Sequence, residues 1–429
     1  MNIPEQLVDA IFASQRPEPT ERISFLLGSG FSRPDGMPLV SDINRQLSQL
    51  KESDFYLRQE MSAGFYTGDY RDPNAFSTLN DRRFASEFIA FYVETQLRGN
   101  HEAFNYEHFF DFFSEYLHER KHVAEVDKFC SVYNEKYTFK GQYDNGRNYL
   151  NKFLNIFNQL VASLLIRAKY YQDVSYTGGY AGYGTFCRLV TEVLKNYRVH
   201  VHSLNHDMLF DHMGSKVSGM FEHFTDGFSE AGSKYFGELD YRPRYIQEEF
   251  YKQYRVRLKH YDGDYRKRLS FFKLHGSVDY FPTYLRGNDK PVTIKRDYGV
   301  GEVLLERFDE PSQKFFYEDP FTNKYPAYLT GTTQKIKRYQ DEFYYNLFQH
   351  FQDNLIHSKQ LIVIGYGFQD AGINEYLEKH YLSQGRKILV VDIKMPQAQL
   401  IEKYKHHFIF SGGGVSDTPY TVYENFLRA

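Results

Sequence analysis

Tryptophan is absent from this 429-residue chain, and cysteine occurs only at Cys130 and Cys187. Two distant cysteines cannot form a disulfide framework or a four-cysteine zinc site, so a reducing, cytoplasmic setting without zinc is expected. Charge of one sign is missing as well: 52 basic and 55 acidic residues leave a formal net charge of −3. That balance gives no support for direct nucleic-acid binding across the molecule. No apolar run approaches membrane-spanning length. The opening Met1-Asn-Ile-Pro-Glu-Gln-Leu-Val-Asp9 carries acids where a signal peptide needs bases and an apolar core, so none is expected. Internal repeats and low-complexity tracts are also lacking.

What is present is a soluble globular composition, 41% hydrophobic and 25% charged. Phe and Tyr alone make the chain 18% aromatic. Stretches such as Phe104-Asn-Tyr-Glu-His-Phe-Phe-Asp-Phe-Phe113 read as helical core or partner surface before they read as base-stacking platforms. Pro4, with Ile3, Leu7 and Ile11 on one face, suggests an opening helix.

Short apolar runs at Ile23–Leu27, Val199–Leu204, Phe271–His275, Leu361–Gly365 and Ile388–Asp392 have the pattern of strands buried on both faces. Helical stretches precede the second run and separate the last two, and Ser41 or Asp42 can cap a helix that follows the first. This alternation predicts an α/β fold with a doubly wound, Rossmann-like, mostly parallel sheet. Two insertions interrupt it. The expected core segments are 1–49, 191–280 and 356–429, with a large helical insertion over 50–190 and a smaller irregular or β-rich one over 281–355. Tyr176-Thr-Gly-Gly-Tyr-Ala-Gly-Tyr-Gly184 reads as a loop near the end of the helical insertion.

Four motifs stand where these strands end. Gly28-Ser29-Gly30-Phe31-Ser32 follows the first, with glycines that admit close backbone approach and N–H groups suited to an anion. Its third fingerprint glycine is missing, because Arg33 stands there. Ser203-Leu-Asn205-His206-Asp207, Lys273-Leu-His275-Gly-Ser277 and Gly365-Tyr-Gly367-Phe-Gln369-Asp370 follow the others. Loops at the carboxyl ends of such strands converge on one crevice, which would gather an Asn, an Asp and a His beside the glycine turns. Each motif has a plainer reading. Asn-x-Asp makes turns and caps, Asp370 suits the cap of the helix that follows, and Asp is common after strands, as at Asp392. His200, His202, His206 and His212 lack metal-ligand spacing and read as structural.

Gly-x-Gly-x-Ser with Gly36 and Pro38 downstream, Asn205-x-Asp207, His275-Gly-Ser and Gly365-Tyr-Gly-Phe-x-Asp370 followed by Ile373-Asn374 resemble, in order, the motifs of the sirtuin family. The last motif is similar to that of divergent bacterial sirtuin-like proteins. The resemblance covers roughly 22–45, 197–212, 270–282 and 358–395, and leaves both insertions unmatched. Protein deacylases of that family carry a four-cysteine zinc module, and an Asp-Phe-Arg where this chain has Leu39-Val40-Ser41.

The resemblance therefore implies a sirtuin-like NADase of anti-phage defence, with NAD as its substrate. A lysine deacylase and a non-catalytic NAD or ADP-ribose sensor are the alternatives. It further implies Asn205 holding a ribose hydroxyl or the attacking water, and His275 as general base. Asp207 would meet the nicotinamide carboxamide or the developing charge. Gly28, Ser29, Gly30, Phe31 and Ser32 would take the diphosphate, Gly365, Gly367, Gln369 and Asp370 the adenosine side, and Asp392 the ribose or adenine. By the same resemblance the chain would form a homo-oligomer gated by a HerA-type hexameric ATPase partner.

Overall fold

The computed structural model describes residues 19–57, 63–66, 78–97, 103–137, 146–166, 180–241, 252–284, 291–296, 300–319, 321, 328 and 342–429. The expected opening helix and the Tyr176–Gly179 part of the glycine–tyrosine loop lie outside these residues.

Seven strands form one sheet: β1 (Arg22–Leu27), β2 (Arg198–Ser203), β3 (Phe224–Thr225), β4 (Leu269–Lys273), β5 (Ser358–Ile364), β6 (Ile388–Val391) and β7 (Phe408–Phe410). Their order is β7-β6-β5-β1-β2-β4-β3, and every neighbouring pair is parallel. The architecture is mixed α/β and consistent with a Rossmann-like fold. The five strands expected from the sequence form its centre. Edge strands β3 and β7 are two and three residues long, too short to leave a periodic signal.

The sheet is apolar along its strands because both faces are covered. Successive side chains alternate faces. Ile23, Phe25 and Leu27 of β1 pack with Phe186, Leu189 and Val190 of the helix Gly184–Val193 and with Tyr423 of the C-terminal helix. Leu26 points the other way, into a core shared with Leu347, Phe351 and Leu355 of Glu342–His357 and with Ile373 and Leu377 of Ala371–His380. The sheet-covering helices thus begin at Gly184 and Glu342, before the expected core boundaries at 191 and 356, because their apolar faces belong to this sheet.

His200 and His202 of β2 share the second face. His202 is fully buried and stacks on Phe272 with ring centroids 4.9 Å apart. Burial lowers the His200 pKa to about 3 and drives that of His202 well below its ordinary value. Both are therefore neutral in the folded chain, while the unfolded chain protonates them near pH 6.5. The depressed folded values mean that their contribution is present above that pH and is lost as the pH falls from there, towards 3 for His200. Each lost histidine contribution amounts to about 1.4 kcal/mol per pH unit within the window. Urea unfolding between pH 7 and 4 is expected to show a shallower loss of stability in His200→Leu/His202→Leu than in the wild type.

The helices Leu79–Tyr92, Tyr106–Glu119, Val123–Tyr137 and Gly146–Leu165 form a second lobe. Its core is aromatic: Phe109 and Phe113 of the stretch singled out in the sequence pack there with Phe84, Phe88, Phe153 and Phe157. The same core takes in Ile43 and Leu47 of the helix Val40–Ser48, together with Met208 after β2 and Val278 after β4. The lobe is thereby packed onto the loops at the carboxyl edge of the parallel sheet.

Two four-stranded antiparallel sheets occupy the region from Phe228 to Glu318 among the described residues. They begin well before the expected start at 281. Tyr235–Tyr241 pairs on one side with Lys252–Arg257 and on the other with Val300–Asp309, more than 40 residues later, and such a long-range partner is invisible to a local pattern. Among the described residues, no helix is long and apolar enough to cross a membrane.

Candidate active site

The chain runs from β1 to β2 on one side of the sheet and later enters β5 on the other side of β1. The loops after β1 and β5 therefore separate at a topological switch point, where an open α/β sheet leaves a crevice. Here the two glycine turns interlock. Gly28 N–H donates to Ile364 O at 2.9 Å, Gly30 N–H to Gly365 O at 3.0 Å, and Phe31 N–H to Gly28 O at 2.9 Å. A Cβ on Gly28 would lie 2.5 Å from Gly365 O, and one on Gly30 would lie 2.7 Å from Gly365 Cα. Gly365 adopts φ +64°, and a Cβ there would meet Phe31 N at 2.3 Å. These glycines are required by one another's backbones, and those N–H groups are already engaged. Ser29 is the loop residue that borders the cavity beside Gly28.

Phe31 and Ser32 turn inward. The Phe31 ring is buried against Tyr183 and Phe186, with centroids 5.3 and 5.0 Å away. Ser32 Oγ accepts from Asn205 Nδ2 at 3.0 Å and donates to the Asp207 carboxylate. Asn205 Nδ2 also donates to Gly28 O at 2.9 Å. These contacts fix the amide orientation and occupy its nitrogen, so the carbonyl Oδ1 is what Asn205 presents to the cavity. Asp207 Oδ1 accepts the Leu209 N–H at 3.0 Å. Burial raises the Asp207 pKa, opposed by Lys273, the Leu209 N–H and the Ser32 hydroxyl.

His275 follows β4 in a turn whose Gly276 has φ +80°. Its Nε2 lies 3.2 Å from Asp370 Oδ2, with both side chains largely buried. The other oxygen of Asp370 accepts the Ile373 N–H at 3.1 Å and caps Ala371–His380. Asp370 is thus the cap of the helix that follows it through one carboxylate oxygen and a partner of His275 through the other. The contact also sets Asp370 beside the His275 imidazole. The rest of its loop is tied internally: Asn374 Nδ2 donates to Phe368 O at 2.8 Å, and Tyr366 Oη donates to Asn374 Oδ1 at 3.1 Å.

A buried ionic network lies beneath these loops. Lys273 Nζ donates to Asp207 O and sits 3.0 Å from Asp211 Oδ2. Lys295, on an antiparallel strand, lies 2.8 Å from Asp211 Oδ1 and 2.6 Å from Asp226 Oδ2. Burial alone would raise the Asp211 pKa, but the two ammonium groups hold it well below its ordinary value. The network joins the loop after β2, strand β4 and the antiparallel sheet through charges that need one another.

Together these loops enclose a cavity of about 730 Å³, within the ~300–1,000 Å³ range of small-molecule sites. Gly28, Ser29, Asn205, Asp207, His275, Gly365, Gly367, Gln369 and Asp370 all border it. Gly30, Phe31, Ser32 and Asp392 do not. Gly30 is locked to Gly365, Phe31 and Ser32 are buried behind the wall, and Asp392 Oδ1 lies 3.4 Å from Lys394 N. Sequence reasoning missed a second wall, made by Asn105, Tyr106, Glu107, His108 and Leu165 of the helical lobe. Asn105 caps its helix by accepting the Glu107 N–H at 2.8 Å. The Phe104-Asn105-Tyr106-Glu107 sequence carried that capping signal, but nothing local pointed it at the glycine loops.

Among the described residues, no group of three or more His, Cys, Asp or Glu is placed to hold a metal ion. No protein-family model and no curated protein matches the chain.

Proposed function

We propose that this protein is an NAD glycohydrolase with a sirtuin-like pocket. The observation that carries the reading is the meeting of Asn205, Asp207 and the His275–Asp370 pair in one cavity at the switch point. In this reaction the bond between ribose C1′ and the nicotinamide nitrogen breaks, and its electron pair leaves with nicotinamide. An oxocarbenium-like centre develops at C1′, water adds to it, and the water gives up a proton. Asn205 Oδ1 is an acceptor suited to a ribose hydroxyl or to that water. His275 serves as the base, held by Asp370. The buried carboxylate of Asp207, at the end of the Asn205–Ser32 chain, gives the wall an acidic group facing the charge that develops on the sugar. The diphosphate lies against Ser29, between the close-packed backbones of Gly28 and of Gly365–Gly367.

The sirtuin-like motifs extend the proposal to an anti-phage effector that consumes NAD, gated by homo-oligomeric assembly and a HerA-type ATPase partner. A toxic activity of this kind requires an inactive resting population. The decisive measurement is mass spectrometry of NAD incubated with the purified chain, alone and with its co-purifying partner. Equal release of nicotinamide and ADP-ribose, without any acylated peptide, is the expected result. Turnover only with an acyl-lysine peptide would replace the proposal with a deacylase, and binding without turnover would replace it with a sensor.

A further inference from the structure

Among the described residues, one of the two antiparallel sheets ends in an open edge. Its order places Lys314–Glu318 outermost, beside Val300–Asp309. Edge strands carry an unpaired row of backbone donors and acceptors, and proteins ordinarily blunt them. This one is apolar in the middle. Phe315 and Phe316 are 58% and 52% exposed, and Phe308, opposite Phe315 across the hairpin, is 48% exposed. The rings of Phe308 and Phe315 already touch, with centroids 5.0 Å apart, yet remain open to solvent.

The segment Lys314-Phe315-Phe316-Tyr317-Glu318 is complementary to itself. Antiparallel pairing with an identical strand about Phe316 sets Phe316 against Phe316, Phe315 against Tyr317, and Lys314 against Glu318 at both ends. Because side chains alternate faces, one face of the joined sheets would carry the central Phe pair between two ion pairs. The other face would carry two Phe–Tyr pairs continued by Phe308. We propose that this edge is a two-fold interface between copies of this chain, joining the two four-stranded sheets into one. The occupant is a second copy because the charges at both ends match only in the antiparallel, self-paired arrangement. Glu318 also contacts Arg307 within the chain, and Tyr317 Oη donates to Glu306 Oε1 at 2.9 Å, so the strand is held in register before it pairs.

Sedimentation velocity of the full chain over a range of concentrations tests this surface. The wild type is expected to self-associate. Lys314→Glu places two carboxylates opposite each other at each end of the pair, and Glu318→Lys places two ammonium groups there. Each variant is expected to weaken association roughly tenfold or more. An equimolar mixture of the two variants is expected to associate again, because every end contact in the mixed pair joins opposite charges. Damage to either hairpin would not be repaired by mixing. A wild type that stays monomeric, single variants that associate like the wild type, or a mixture that stays apart would each overturn the proposal.

Discussion

His275→Ala is expected to lower the rate of nicotinamide release by ~10²–10⁴, the usual contribution of a positioned acid–base group. The substitution removes the imidazole but leaves the glycine interlock, the Asn205–Ser32–Asp207 chain and the helix cap on Asp370 in place. Affinity for NAD should therefore change much less than turnover, and single-turnover kinetics beside equilibrium binding would separate the two. Asp370→Asn sharpens the test. Asparagine is as good a helix cap as aspartate, so Ala371–His380 should keep its N-terminus while the imidazole loses its carboxylate partner. Its rate should fall between those of the wild type and His275→Ala, and its pH profile should move. Full activity in His275→Ala would remove the base from the mechanism.

Gly365→Ala is expected to produce the largest loss of stability of any single methyl addition at the site. Two penalties coincide there. A residue with a Cβ at φ +64° costs ~1–2 kcal/mol by itself. The added carbon would also lie 2.3 Å from Phe31 N and 2.4 Å from Gly30 C, both backbone atoms that no rotamer change can move. Relief requires the β1 and β5 loops to part, with loss of the Gly30–Gly365 hydrogen bond. A total of about 4 kcal/mol or more is expected from these combined mechanisms. Gly385→Ala is the control. Its φ is +73°, but nothing lies within 4 Å of the added carbon, so only the ~1–2 kcal/mol conformational cost applies. Urea denaturation midpoints of the two variants compare the terms directly. Equal midpoints would show that the interlock adds nothing.

The five inner strands were legible because a strand covered on both faces must be apolar at every position, as Ile388-Leu-Val-Val391 is. The residues Asn205, Asp207, His275 and Asp370 were legible for a related reason: a polar residue directly after such a run sits at a sheet edge where loops meet. Phe31 and Ser32 show where that logic stops. Both stand in the glycine motif, yet one is anchored in a hydrophobic core and the other links two buried side chains. Sequence position cannot tell a residue that faces a cavity from one that holds the wall behind it. The strand Tyr235–Tyr241 and the Asn105–His108 wall were hidden for a different reason, since the strand's partner Val300–Leu305 and the wall's glycine loops lie far away in the chain.

Sequence alone determined that this chain would build a parallel α/β sheet with glycine turns and a small set of polar groups at its carboxyl edge. Burial on two faces and backbone sterics act locally and leave their mark on residue order. Tertiary structure decided what those groups touch. The glycines answer first to each other, Ser32 binds Asn205 and Asp207, Asp370 serves both a helix and His275, and the helical lobe closes the cavity. Each of those outcomes depends on distances between segments separated by tens to hundreds of residues, which only the folded chain brings within reach of a hydrogen bond.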